Sequence, residues 1–277
     1  MLKASWLYLP AHYQGRLHAA RFTEVETVCL FIGYPRSGHS LIGSLLDAHP
    51  QITMAHELEA LRYIYLRFSK NAIFYLMQEN SAAFTRSGRN WQGYDYAVPA
   101  QWQGLEKTPK IIGDKHGESA TIWLARMPYL LSRLRQTFSG KLKFLHIIRN
   151  PYDNISTIAR KIHSIGLPEI RKGDNPLTDA IDYYFWLCKA VADVKPHLDM
   201  LDIRHEDFIQ QPACWLKKIC DYLNVSAGEG YLRDCAAIVF KEATRSRQTV
   251  EWTPALITEV QERMREFPFL QGYTFVD

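Results

Sequence analysis

The sequence predicts an α/β fold, a mostly parallel sheet flanked by helices on both faces, and three observations carry that expectation. The apolar run Val28 to Ile32 stops at a glycine-bounded turn, and the chain resumes as an amphipathic segment, Leu41 to Leu46, ending at Asp47-Ala48-His49-Pro50. That order is strand, loop, helix. A second buried strand, Phe144 to Ile148, runs into the turn and helix start Arg149-Asn150-Pro151-Tyr152-Asp153. Finally, 277 residues with 47% hydrophobic and 22% charged side chains suffice for one large domain with a full core.

Taken in order, residues 1–26 read as an irregular N-terminal arm with scattered aromatics (Trp6, Tyr8, Tyr13, Phe22) laid on a domain spanning 27–277. Residues 51–55 form a short strand, followed by His56-Glu57 at the start of a helix in which Leu58, Leu61, Tyr65 and Phe68 recur at helical spacing. Ser69-Lys70-Asn71 stops that helix and caps the next, expected over 72–86. From 87 to 110 the periodicity lapses into an aromatic loop with Trp91, Tyr94, Tyr96 and Trp102, which serves either as a lid shaping an acceptor pocket or as a hydrophobic flap packed on the core. Residues 110–117 read as a short strand with a glycine-rich exit, ahead of helices over 119–126 and 128–138, with Pro128 marking the second start. After a loop over 166–176 comes a helix over 178–194, then the strand-like Met200 to Phe208 and a helix behind Pro212. The closing block, 240–275, carries Lys241, Arg245, Arg247 and Trp252 and one further helix.

Bulk properties narrow the function classes. A formal charge of +4 is too modest on this length to imply nucleic acid, and suits a small polyanion instead. The five cysteines make no C-x-x-C pair, so no zinc site is expected and reduced thiols in a cytoplasmic setting are the default. Pro10, His12, Gln14 and Arg16 interrupt the segment Leu2 to Phe22, which rules against a signal peptide there, and no stretch reaches membrane-spanning length.

The chemistry concentrates in the first loop. The spacing from Gly33 to Gly38 and on to Ser40 is that of a P-loop, except that His39 stands at the lysine position. Backbone N–H groups and a helix N-terminus converging on one point bind phosphate or sulfate. A histidine is half charged only near pH ~6.5, so the permanent cation of this loop is Arg36.

Tyr34-Pro35-Arg36-Ser37-Gly38-His39-Ser40 resembles the 5'-phosphosulfate loop of sulfotransferases, Tyr-Pro-Lys/Arg-Ser-Gly-x-Ser/Thr, which cradles 3'-phosphoadenosine 5'-phosphosulfate (PAPS). The resemblance implies a P-loop NTPase-like sulfotransferase fold, with Tyr34, Pro35, Arg36, Ser37, Gly38, His39, Ser40 and Leu41 around the cosubstrate. Arg149-Asn150-Pro151 is similar to the family's 3'-phosphate motif, a strand ending in arginine with a serine eight residues later; register puts Thr157 there, with Ser156 one step before. An arginine fork and a hydroxyl two helical turns on can meet the same phosphate. Arg204 to Phe208 resembles a third block, read as structural, with Glu206 and Asp207 turning and capping the chain. The last block is similar to the closing segment whose basic residues reach back to the nucleotide, which makes Arg245 and Arg247 further 3'-phosphate candidates. Arg171-Lys172-Gly173, like the cytosolic branch's nucleotide motif, falls too early and is taken as coincidence.

The family implies in-line transfer of a sulfuryl group from PAPS to an acceptor hydroxyl, with no metal. Leaving-group donors are the loop amides, Ser40 and Arg36. Arg36 acts electrostatically because a guanidinium keeps its proton below pH ~12, whereas Lys115 can stabilise charge and also donate. Glu57, at the usual family distance after His49-Pro50, is preferred as the base; His116 stands second and His56 third. Alternative readings are a P-loop small-molecule or nucleotide kinase, which the missing lysine disfavours, and a non-catalytic nucleotide-binding protein. The acceptor is expected to be a small-molecule or carrier-bound hydroxyl, and its identity and the oligomeric state are not encoded legibly.

Overall fold

The computed structural model describes residues 6–164, 166–170 and 173–276. Helix α1 (Tyr8–Leu17) precedes β1 (Thr27–Gly33), α2 (His39–Asp47), β2 (Ile52–Ala55), α3 (Ala60–Tyr65) and α4 (Lys70–Arg86). A small hairpin, β3 (Asn90–Trp91) and β4 (Tyr94–Asp95), leads to β5 (Ile111–Asp114), α5 (Gly117–Arg126), α6 (Tyr129–Thr137), β6 (Lys141–Ile148) and α7 (Pro151–Ala159). The rest comprises α8 (Pro176–Val194), β7 (Met200–Arg204), α9 (His205–Gln210), α10 (Pro212–Tyr222), α11 (Glu229–Ala237) and α12 (Pro254–Met264).

Five strands form one sheet in the order β2-β5-β1-β6-β7, every neighbouring pair parallel. Central β1 is buried along its whole length, which is why it reads as an unbroken apolar run: both faces of a parallel sheet are covered. Its pleat divides the core. Val28, Leu30 and Ile32 pack on one face with residues from α4, α5, α7 and α8, while Cys29 and Phe31 pack on the other with α2, α10 and α11. The β1–β6 register pairs Gly33 with Ile147, so the phosphate loop and the Arg149 turn leave the sheet side by side. That is where open α/β sheets bind ligands, outside the carboxyl ends of their strands.

Two expectations are corrected. The arm is helical rather than irregular: Pro10 is tolerated in the first turn, and α1 lies along α4. His56-Glu57 does not open a helix; α3 begins at Ala60, and Glu57 and Glu59 hold left-handed backbone (φ 58° and 64°) because the carboxylate of Asp114 accepts the Leu58 and Ala60 amides at 3.1 and 2.8 Å. The 87–110 segment, read as a lid or a flap, is tied down near both ends. Arg89 donates through both terminal nitrogens to Oδ2 of fully buried Asp47 (2.8 and 2.7 Å), and Lys107 Nζ donates to the Asp47 and His49 carbonyls (2.8 and 3.1 Å). Residues 171 and 172 of the early Arg-Lys-Gly lie outside the described residues.

Candidate active site

A cavity of about 930 Å³ opens above the carboxyl ends of β1, β5 and β6, within the range of small-molecule sites. Its floor is the loop after β1. Arg36 (φ 67°) and Gly38 (φ 103°) adopt left-handed backbone, which turns the chain tightly enough for α2 to begin at His39. Neighbours hold this shape. The Gly33 amide donates to Thr121 Oγ1 (2.9 Å), Asn154 Nδ2 to the Pro35 carbonyl (2.6 Å), and Arg149 Nη1 to the Arg36 carbonyl (3.2 Å). The Arg36 side chain lines the cavity, and no carboxylate pairs with it among the described residues.

His39 is buried, with Nε2 3.2 Å from Ser37 Oγ and its ring edge-on to Phe31. Burial, with Lys115 close by, pushes its pKa well below the ordinary histidine value. It is a neutral imidazole supporting the loop, not a replacement cation. A kinase-type loop lysine therefore has no counterpart at this position.

Over the loop stands Lys115, the first residue after β5. Gly43 of α2 makes room for it, since a Cβ there would fall 2.8 Å from Lys115 Cβ. Lys115 Nζ donates to Ser40 Oγ and to Glu57 Oε1, both at 2.7 Å. Burial lowers the ammonium pKa, by more than the Glu57 charge raises it. For Glu57, burial alone would raise the carboxyl, but Lys115 outweighs it and holds the group below the usual glutamate value. The pair joins the phosphate loop to an ionised carboxylate in the cavity. Glu118, in the first turn of α5, adds a second carboxyl to the lining: it accepts from Tyr183 OH at 2.6 Å, and burial raises its pKa.

The far end is built around Arg149. Its Nη2 donates to the Thr244 carbonyl (2.6 Å) and to Ser246 Oγ (3.3 Å), while buried Nε has no hydrogen bond among the described residues. Thr157 lines the cavity nearby, with Arg160. His205 Nδ1 is a further unpartnered buried atom beside the loop, its pKa pushed down to about 3 by burial and by Arg149. Cations at both ends of the cavity, Arg36 and Lys115 at one and Arg149 and Arg160 at the other, fit an elongated polyanion.

A family model described as "Sulfotransferase family" matches residues 30–229, which covers most of the chain, including the loop, Lys115 and the Arg149 turn. This chain belongs to the sulfotransferase family. A relative named protein-tyrosine sulfotransferase 1, from Danio rerio, is 26% identical over 215 residues, 73% of this chain and 55% of that protein. The chain spans about half the length of the curated relatives it matches. Among solved structures, the sulfotransferase domain from the curacin biosynthetic pathway aligns with a TM-score of 0.57 at 17% identity, covering 87% of this chain and 97% of that one. The sulfotransferase domain of the Synechococcus PCC 7002 olefin synthase gives 0.54 at 16%, covering 86% and 93%. At these identities the likeness concerns the fold, the P-loop-like sulfotransferase fold.

Against this sulfotransferase frame, Pro35, Arg36, Gly38, His39, Ser40, Leu41, Glu57, Lys115, His116, Arg149 and Thr157 all line the cavity. Others named from the sequence do not. Tyr34 and Ser37 are wholly buried under the loop, Tyr34 OH lying 2.9 Å from His146 Nε2 and Ser37 Oγ donating to the Tyr34 carbonyl. Ser156 points into the core, donating to the Tyr152 carbonyl and accepting from Trp252 Nε1. Arg247 is turned away: its amide donates to Asp153 Oδ1, its guanidinium sits 3.3 Å from Asp153 Oδ2, and Nη1 donates to the carbonyls of Thr274 and Phe275. Arg245 is exposed and outside the cavity lining. His56 is stacked on Phe84 at 3.7 Å, with burial lowering its pKa to about 3, and likewise lies outside the lining.

The block read as structural divides. Glu206 does brace the chain, accepting from the Asn150 amide and Tyr273 OH at 2.8 Å each, but His205 faces the cavity. The structure adds three residues to those the sequence points to: Glu118 and Ser246 line the cavity, and Asp114 holds the Glu57 turn. Asp114 directly precedes the Lys115-His116 pair and Glu118 follows it after Gly117, and that proximity is the available signal.

Proposed function

We propose that this chain transfers the sulfuryl group of PAPS to an acceptor hydroxyl. The observation that carries the reading is Lys115 joining Ser40 of the loop to Glu57, both at 2.7 Å, with Arg36 beside them in one cavity. PAPS supplies an activated sulfuryl group whose bond to the 5'-phosphate breaks as the acceptor oxygen bonds sulfur. Gly38, Ser40 and the N-terminus of α2 would hold the 5' end, and Arg149 with Thr157 the 3'-phosphate. Glu57, ionised at neutral pH, accepts the hydroxyl proton. Lys115, its ammonium already loosened by burial, stabilises charge on the leaving oxygen and can donate to it. Arg36 contributes charge alone. His116, whose Nδ1 is buried without a partner among the described residues, is kept as second candidate base.

Trp91, Tyr94 and Tyr96 of the hairpin segment form an aromatic wall of the cavity, and burial raises the Tyr96 phenol to about 12, so it stays protonated. With a tyrosine sulfotransferase among the relatives, a phenol is the acceptor to screen first. The proposal takes 27–277 as the catalytic unit and a cytoplasmic setting, supported by five cysteines that are all free thiols, four of them buried. No helix among the described residues is long and apolar enough to cross a membrane. The test is calorimetric titration with 3',5'-diphosphoadenosine against ATP–Mg, followed by an acceptor screen with labelled PAPS. Preferential binding of the diphosphoadenosine with label transfer is expected; preference for ATP–Mg would overturn the reading.

A further inference from the structure

Helix α1 turns its apolar side outward. Trp6, just before the helix, is 82% exposed, and Leu9, Tyr13 and Leu17 are 77%, 63% and 59% exposed. At 100° per residue, these four side chains fall within about 80° of one another around the axis, opposite buried Ala11 and Gly15.

The helix is clamped in that orientation. Gly15 meets α4 backbone to backbone: a Cβ there would lie 2.7 Å from the Ala72 nitrogen and the Asn71 carbonyl carbon. His12 Nε2 accepts the Ser69 amide at 3.1 Å, and Tyr8 packs edge-on against Phe68 with centroids 4.9 Å apart. Rolling the helix to bury Leu9 and Tyr13 would break all three contacts. The outward stripe is thus a fixed feature of the surface, and water is a poor partner for it.

Charge selects the occupant. Residues 1–23 contain Lys3, Arg16 and Arg21 and no aspartate or glutamate. Arg16 is exposed at the edge of the stripe, about 20° around the axis from Leu9, and Arg67 and Lys70 are exposed within two residues of Ser69, whose amide His12 accepts; Arg21 is engaged by Glu106 at 2.7 Å. Tryptophan, tyrosine and leucine on one face with cations at its edge suit the headgroup boundary of a bilayer. We infer that α1 is a docking surface for an anionic lipid bilayer, lying in the interface plane without crossing it.

The test is flotation of the full chain with vesicles of phosphatidylcholine and phosphatidylglycerol at 3:1, and with phosphatidylcholine alone. The wild type is expected to float with the mixed vesicles and several-fold less with the neutral ones. Leu9→Glu combined with Tyr13→Glu should lower partitioning at least tenfold with an unchanged melting curve, since both residues are exposed. Arg16→Glu should lower it several-fold on the mixed vesicles alone. Leu105→Glu, an exposed apolar residue (53%) elsewhere, should change nothing. No flotation of the wild type, equal flotation of the double variant, or equal binding to both vesicle types would overturn the inference. So would a dimer in light scattering that the double variant dissociates, because the stripe would then be an interface between copies.

Discussion

Arg149 Nη1 donates to the carbonyl of Arg36 across 3.2 Å, so the arginine at the far end of the cavity also braces the loop after β1. The Arg36 backbone is left-handed, a conformation that needs support in a residue with a Cβ. Arg149→Ala is therefore expected to weaken 3',5'-diphosphoadenosine binding by about 10- to 100-fold, the scale of lost charged hydrogen bonds. Adenosine 5'-phosphosulfate should lose only a few-fold, through the loosened loop. Calorimetry with both ligands separates the roles, and equal losses would leave Arg149 as a brace alone.

Under the proposed mechanism, Glu57 and Lys115 set the pH dependence. The Glu57 carboxyl lies below its ordinary value, so as a base it is lost when pH falls through that lowered pKa, and turnover should be flat on the acid side until well below neutrality. Lys115 is also lowered, so charge stabilisation is lost as pH rises through a value under the ordinary lysine range. A broad bell is expected. Glu57→Gln should cut turnover by about 10²- to 10⁴-fold while diphosphoadenosine affinity stays within a few-fold. Turnover retained in this variant would transfer the role to His116.

Arg247 was expected at the 3'-phosphate and instead neutralises buried Asp153, the two side chains being 6% and 2% exposed. Removing one partner leaves a charge stranded in the core. Arg247→Gln should then cost about 3–5 kcal/mol in urea unfolding, with nucleotide affinity of the folded fraction little changed. A large loss of affinity at unchanged stability would restore Arg247 to the binding site.

What the sequence disclosed follows from where each signal is stored. Buried parallel strands announce themselves locally, so β1, β6 and the two loops that leave them were legible. The turn at Glu57 was not, because Asp114, 56 residues beyond Leu58, imposes its left-handed backbone and nothing near Glu57 encodes it. Thr157 and Ser156 show the limit of motif register: one residue turns a helix by about 100°, which separates a cavity-lining residue from one bonded to Trp252. For α1, Pro10 reads as an interruption but sits in the first turn, and Gly15 is required by the close approach of α4.

The aromatic hairpin depends on an anchor at its base. Arg89 stands immediately before Asn90, and its guanidinium grips Asp47 at the end of α2, the helix whose start forms the phosphate loop. Asp47 Oδ2 also accepts from Ser81 Oγ at 2.7 Å, so the pair ties α2, α4 and the hairpin together. Arg89→Ala should cost about 3–5 kcal/mol, because the one cation then left beside Asp47 among the described residues is the more distant Lys107 ammonium, 3.8 Å from Oδ1. At a temperature where the variant stays folded, acceptor KM should rise several-fold while diphosphoadenosine affinity holds, since Trp91, Tyr94 and Tyr96 lose their footing but the loop does not. Arg89→Lys should recover part of the stability and less of the KM, one ammonium being unable to copy the two-nitrogen grip. An unchanged KM in a destabilised Arg89→Ala would show that the hairpin keeps its place without Asp47 and that the anchor serves stability alone.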